Sequence, residues 1–297
     1  MIRQMAIIAI LLSARMSAFG QDTLFNLRSP LQTIPLNTGY ESMDVDNEGN
    51  ILLIDTDKSQ VVKILQTTAY DSSIVIGGKS HRNEGFLHPV KISVKNRQNL
   101  YLLDDVSRKI LLLNTNFKVA GEINFLTPPP DVNGSFGGES DIYPVSFDVS
   151  MDGTLFVLNQ FDNKVYVFYP SGKFQLSFGG LDYGSGALLH PVDIQVNEKN
   201  YVFVSDTATG QILIFDNFGV FRTKRKPQTA FAWKNFHLSG NSLICFDSGH
   251  IYLENLVTGK NHSLTLPPDQ TLTDLKLKGE YLYLLQKNAI NLYRPGE

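Results

Sequence analysis

Cysteine is almost missing from this chain. Cys245 is the only one in 297 residues, so no disulfide can staple the fold, and a packed apolar core has to hold it. Long apolar runs are also missing: past the first twenty residues nothing approaches eighteen consecutive apolar side chains, which excludes a membrane-spanning helix. Neither sign of charge dominates. With 26 Lys+Arg against 29 Asp+Glu, a formal net charge of −3, the chain lacks the basic stripe expected of a nucleic-acid partner. No long segment has a helical period. No Gly-x-Ser-x-Gly or His-Glu-x-x-His occurs, and Gly78-Lys79-Ser80 lacks the upstream glycine of a phosphate loop because position 73 is Ser. What is present is 42% hydrophobic residues, enough to fill the core of a folded protein.

The first twenty residues form a pattern of their own. Arg3 supplies a short basic segment, residues 5–12 an apolar core, and Ala18-Phe19-Gly20 a small-x-small cleavage signal. This is the pattern of a secretory signal peptide. Residues 1–20 are expected to be removed, with 21–297 forming one domain. Without Arg3 and Arg15, 24 basic residues face 29 acidic ones. The residue directly after the cleavage signal is Gln21 and not a lipid-acceptor cysteine, so a lipoprotein is not expected. The expected location is the periplasm or the medium, as a monomer without a membrane span.

The rest of the chain is a repeat. Met43-Asp44-Val45 leads to Ile51-Leu52-Leu53-Ile54-Asp55, and Ile92-Ser93-Val94 to Leu100-Tyr101-Leu102-Leu103-Asp104. Phe147-Asp148-Val149 leads to Asn159, Ile194-Gln195-Val196 to Asp206, Phe236-His237-Leu238 to Asp247, and Leu275-Lys276-Leu277 to Gln286. From the last apolar residue of each first run to the terminal polar residue the distances are 10, 10, 10, 10, 9 and 9. A third apolar run follows at Val61, Ile110, Val165, Ile212, Ile251 and Ile290, and a fourth in most copies. Short β-branched and aromatic runs separated by turn residues are antiparallel strands, and four strands per copy of about 45 residues is the unit of a β-propeller. The last copy lacks its fourth strand, while Leu31–Leu36 precedes the first copy unclaimed. The expected fold is therefore all-β: a six-bladed β-propeller of four-stranded antiparallel blades, its ring closed by the N-terminal strand.

The sequence His-Pro-Val-x-Ile-x-Val after a glycine, then a turn, four apolar residues, Asp-Thr and Ile-x-x-Phe, resembles the NHL-type six-bladed propeller. Gly186–Asp206 with Gln211–Phe215 is the cleanest copy and Gly85–Asp104 the next; the last two blades carry the pattern weakly. The resemblance implies a fold and leaves the activity open, since this propeller type hosts binding modules, lyases and lactonases.

In such a fold the loops between blades and the turns between second and third strands share one face, here called the top, and are the expected place of function. A polar column, Ser42, Lys91, Ser146, Asp193, Asn235 and Asp274, precedes the first apolar anchor of each blade and would line the upper mouth of the axial channel. The resemblance implies two uses for this region. Lactonases of this type place an acidic trio there, which would make Asp193, Asn235 and Asp274 oxygen ligands for a divalent cation. Lyases use histidines near the blade starts, matched by His88 and His190, with Tyr143 in the third copy. The simpler reading is a solvated channel mouth, which is polar in any case, with Lys91 opposing a cation. The repeated acids Asp55, Asp104, Asp206 and Asp247 are expected to cap their own turns, since Asn159 and Gln286 stand in equivalent places. Asp44–Asp55 resembles a calcium loop but falls on a hairpin. Cys245 reads as a small buried residue, Arg222–Lys226 as a solvated outer strand, and the insert 127–142 as a connector or an arm with Phe136 as anchor. The expected function is non-enzymatic: recognition of a protein or small ligand through the top face, with exposed apolar residues around Tyr143, Tyr183, Phe136 and Trp233 and no cofactor. The alternative is a metal-dependent hydrolase or lyase at the channel mouth.

Overall fold

The structure, a computed structural model, describes residues 25–67, 69–78, 86–95, 99–114, 116–126 and 141–294. The signal-type segment, Phe136 and most of the insert lie outside the described residues. The chain begins with β1 (Gln32–Pro35) and then repeats a four-strand unit. Blade 1 is β2 (Ser42–Val45), β3 (Ile51–Asp55), β4 (Gln60–Ile64) and β5 (Ser73–Gly77); blade 2 is β6 (Pro89–Ser93), β7 (Asn99–Asp104), β8 (Lys109–Asn114) and β9 (Val119–Asn124). Blade 3 is β10 (Pro144–Val149), β11 (Leu155–Asn159), β12 (Lys164–Phe168) and β13 (Phe174–Gly179). Blade 4 is β14 (Pro191–Val196), β15 (Val202–Asp206), β16 (Gln211–Phe215) and β17 (Phe221–Arg225); blade 5 is β18 (Asn235–Ser239), β19 (Ser242–Phe246), β20 (His250–Asn255) and β21 (Asn261–Thr265). Blade 6 has β22 (Leu272–Lys278), β23 (Tyr281–Gln286) and β24 (Ala289–Tyr293), and β1 is its fourth strand. Among the described residues the only helical piece is a 3-10 turn at Gly184–Gly186.

The near-continuous apolar runs of the second strands have a simple cause. In β3 every residue is buried, because Leu52 and Ile54 face the core shared with blade 2 while Ile51 and Leu53 face the core shared with blade 6. The same alternation repeats around the ring and produces six apolar cores, one between each pair of neighbouring blades. Burying one Leu or Ile contributes roughly 1.5–3 kcal/mol, so cores of this kind replace the missing disulfides. Cys245 is a buried, unpaired thiol in the core between blades 4 and 5, and burial pushes its ionisation far up.

Ring closure follows the expectation. β1 pairs antiparallel with β24, Ile34 opposite Ile290, and the Leu31 amide donates to the Leu292 carbonyl at 2.8 Å. The basic run Arg222–Arg225 lies in β17, the outermost strand of blade 4. The His-Pro-Val element also has a structural meaning. Blades 2, 3, 4 and 6 each carry a register shift just after the strand starts, at Pro89/Lys91, Pro144/Ser146, Pro191/Asp193 and Leu272/Asp274. Proline donates no hydrogen bond and suits a strand start beside a bulge, which turns the next polar side chain toward the axis.

Candidate functional site: channel wall and top rim

The inner strands β2, β6, β10, β14, β18 and β22 present an unpaired edge to the axis, and their amides need acceptors. Side chains of neighbouring blades supply them. Asp44 accepts from Val94 N of blade 2 at 2.8 Å, and Asp148 from Val196 N of blade 4 at 2.7 Å. Gln195 donates to the Phe236 carbonyl of blade 5 and accepts from Leu238 N, at 2.6 and 2.9 Å. Asp274 accepts from Met43 N of blade 1 at 2.8 Å, stitching across the ring closure. These residues belong mostly to a second polar column, Asp44, Ser93, Asp148, Gln195, His237 and Lys276, two positions further along each inner strand. The signal was in the sequence, as the polar residue between two apolar anchors, but the first column drew the functional reading.

The first column is split. Lys91 donates from Nζ to Asp193, to Ser146 Oγ at 2.9 Å and to the Ile194 carbonyl at 3.0 Å, and Ser146 Oγ donates to Asp193 at 2.6 Å. Asp274 lies beside Ser42, 3.5 Å away. Asn235 is exposed. Asp193, Asn235 and Asp274 therefore have different surroundings, and an ammonium already holds Asp193. Among the described residues no three His, Cys, Asp or Glu side chains form a metal-binding group. The calcium-like loop is likewise occupied internally: Asp46 accepts from Glu48 N and Asn50 N, and Lys63 lies 3.3 Å from its carboxylate.

Charge in the channel is tuned by burial against these partners. Burial alone would raise the Asp148 carboxyl, but Lys95 and Lys91 and the Val196 amide outweigh it and hold it below its ordinary value. For Asp274 burial wins and the carboxyl is raised. Burial works against the Lys276 ammonium, yet Asp274, Asp44, Asp193 and Asp148 raise its value. His237 is held well below its usual range by burial and by Lys276, and so is neutral near pH 7. The cavity between these walls is about 350 Å³. It reaches from Lys91 down to turns at Asn47, Met151, Asn197-Glu198, Ser239-Gly240 and Lys278-Gly279, so its mouth is on the face opposite the top.

The top rim has a different character. Leu87 N donates to Asp104, Leu189 N to Asp206 and Tyr143 N to Asn159, so each second-strand terminus holds the loop entering its own blade as well as its own turn. Asp55, Asp104, Asp206 and Asp247 all accept turn amides, at Lys58, Ser107, Thr209 and His250, as expected of capping residues. This scaffold displays apolar side chains to solvent: Phe161 is 69% exposed, Leu87 67%, Val106 61%, with Tyr143 and Leu189 also exposed. They form one arc. Ser59 of blade 1 donates to the Leu87 carbonyl, Arg108 covers the Tyr143 ring at 4.4 Å, Tyr143 and Phe161 rings are 6.0 Å apart, and Asn163 donates to the Leu189 carbonyl. His88 pairs with Asp105 and His190 with Thr207, both at 2.7 Å, each against its own turn and with blade 3 between them. Two expected members are placed elsewhere. Trp233 is in the loop entering blade 5, outside this arc, and is half-buried against the core between blades 4 and 5. Tyr183 donates to the Gly219 carbonyl, in the turn between β16 and β17, and its ring is tilted against that of Phe215, so it joins blade 3 to the outer part of blade 4 instead of the rim.

A family described as a 6-bladed beta-propeller matches residues 141–274. No curated protein matches the chain. Among solved structures, virginiamycin B lyase from Staphylococcus aureus is similar at 13% identity and a TM-score of 0.56, over 85% of this chain and 79% of that one. A catalytically inactive form of that lyase with quinupristin reaches 0.60 at 13% identity, over 89% and 98% of the two chains. The Neurospora crassa Pan2 WD40 domain reaches 0.55 at 10% identity, over 88% and 90%. At these identities the likeness is one of fold alone.

Proposed function

We propose that this protein is an exported binding module that takes an apolar segment of a protein partner on the top rim of blades 2–4. The observation that carries the reading is the solvent-exposed arc Leu87–Val106–Tyr143–Phe161–Leu189, fixed on a backbone stitched by buried carboxylates and Asn159. Exposed apolar side chains scattered singly are ordinary; five on successive loops of one rim, held by a rigid scaffold, favour an interaction surface. Export is supported by the Arg3, 5–12 and 18–20 pattern. The enzymatic alternative draws only on the fold shared with lyases, and His88 and His190 have separate partners.

The test is a photo-crosslinking residue placed at position 161, with Met151 on the opposite face as control, in the cells that make the protein. Defined adducts are expected at 161, absent at 151, and reduced at least fivefold by Leu87→Asp, with the melting temperature unchanged. Equal adducts at 151, or adducts at 161 indifferent to Leu87→Asp, would refute the reading.

A further inference from the structure

The axial cavity has a feature that neither the blade stitching nor the top rim uses. Of the inner polar ring, Asp44, Ser93, Asp148 and Gln195 have partners across the blade boundaries. Lys91 and Lys95 are held by Asp193 and Asp148. Lys276 differs: it faces the Asp44, Asp148, Asp193 and Asp274 charges but makes no hydrogen bond or ion pair among the described residues. His237 Nδ1, in the same wall, also lacks a partner. Asp44 is the complementary case. Its two oxygens accept one backbone amide each, whereas a carboxylate offers about four acceptor positions. β2 and β22 are neighbours across the ring closure, and Asp44 and Lys276 both line the cavity with no bond between them among the described residues.

We propose that this cavity is a binding site for a small zwitterion of amino-acid size, its carboxylate on Lys276 and its ammonium on Asp44, entering from the bottom face. A ligand of net charge would unbalance a wall in which lysines and carboxylates nearly offset one another. An apolar one would strip water from the Lys276 ammonium and offer it no acceptor. A molecule bearing both charges completes the separated pair. The volume, about 350 Å³, is roughly that of a dozen waters at about 30 Å³ each and within the range of small-molecule sites.

The experiment is calorimetric titration of the purified chain with each of the common L-amino acids, and with propionate and ethylamine as single-charge probes. At least one amino acid is expected to bind at least tenfold more tightly than either single-charge probe. Lys276→Gln and Asp44→Asn are each expected to weaken that binding tenfold or more. Asp44→Asn also alters a stitch, so Ser239→Trp, which narrows the mouth without replacing a ring residue and whose melting temperature is measured alongside, provides a second check and is expected to abolish binding. No binding by any amino acid, binding matched by propionate or ethylamine, or binding that survives Ser239→Trp and Lys276→Gln overturns the proposal. Top-rim crosslinking is independent of all three variants, so the two readings fail separately.

Discussion

At Asp206 a single buried carboxylate serves two segments of chain at once. It accepts from Thr209 N in its own turn at 3.1 Å, and from Leu189 N and His190 N in the loop that enters the blade, at 2.6 and 3.1 Å. Its side chain is fully buried, so water cannot replace these bonds when they are lost. Each orphaned amide costs about 1–3 kcal/mol; Asp206→Ala is therefore expected to destabilise the protein by about 3 kcal/mol or more in urea unfolding. Asn159 shows what an amide does in the same place: its oxygen accepts from Tyr143 N and Phe161 N. Asp206→Asn should accordingly cost only about 1 kcal/mol. Equal losses for the two variants would mean that charge, rather than acceptor geometry, is what the position requires.

β1 is four residues long, yet it supplies the outer strand of blade 6 and, through Ile34, part of the core between blades 6 and 1. Thr33 Oγ1 donates to Asn291 at 2.7 Å, and Asn291 in turn donates to Gln286. Ile34 is 3% exposed, and removing its side chain beyond Cβ leaves a void at the one seam that no covalent connection crosses. Ile34→Ala is expected to cost about 2–5 kcal/mol and to raise amide exchange in β24 before that in β12 of blade 3; uniform acceleration through all blades would contradict a weak seam. This strand was readable in the sequence because Leu31–Leu36 stood without a partner while the last copy lacked a strand. The inner strands were readable from a different signal, the nearly fixed spacing from apolar anchor to terminal polar residue. The role of the polar columns was not readable. Whether Asp193 meets a metal or Lys91 depends on side-chain reach between blades, which no repeat spacing encodes. The place of Tyr183 was not readable either, because its partner, the Gly219 carbonyl, belongs to the neighbouring blade.

For the molecule as a whole, the ring has no privileged starting blade. Six cores of like construction separate six sheets, and the first and last described segments meet, with Tyr293 Oη donating to the Leu27 carbonyl and Leu31 N to the Leu292 carbonyl. What distinguishes blade 6 is only that its outer strand comes from the far end of the chain. The same arrangement can be moved to blade 5 by opening the exposed turn at Val257-Thr258, between β20 and β21, and joining Arg294 to Phe25 through a short Gly/Ser linker. β21 would then be the first strand and would close its blade as β1 does now. Exposed turn tips and neighbouring chain ends are the conditions under which such permutation is tolerated. The permuted chain is expected to keep its near-ultraviolet circular dichroism and to melt within about 5 °C of the original, a shift that corresponds to roughly 3 kcal/mol for a domain of this size. Loss of the cooperative transition would show instead that the native β1–β24 seam, and not closure as such, holds the ring together.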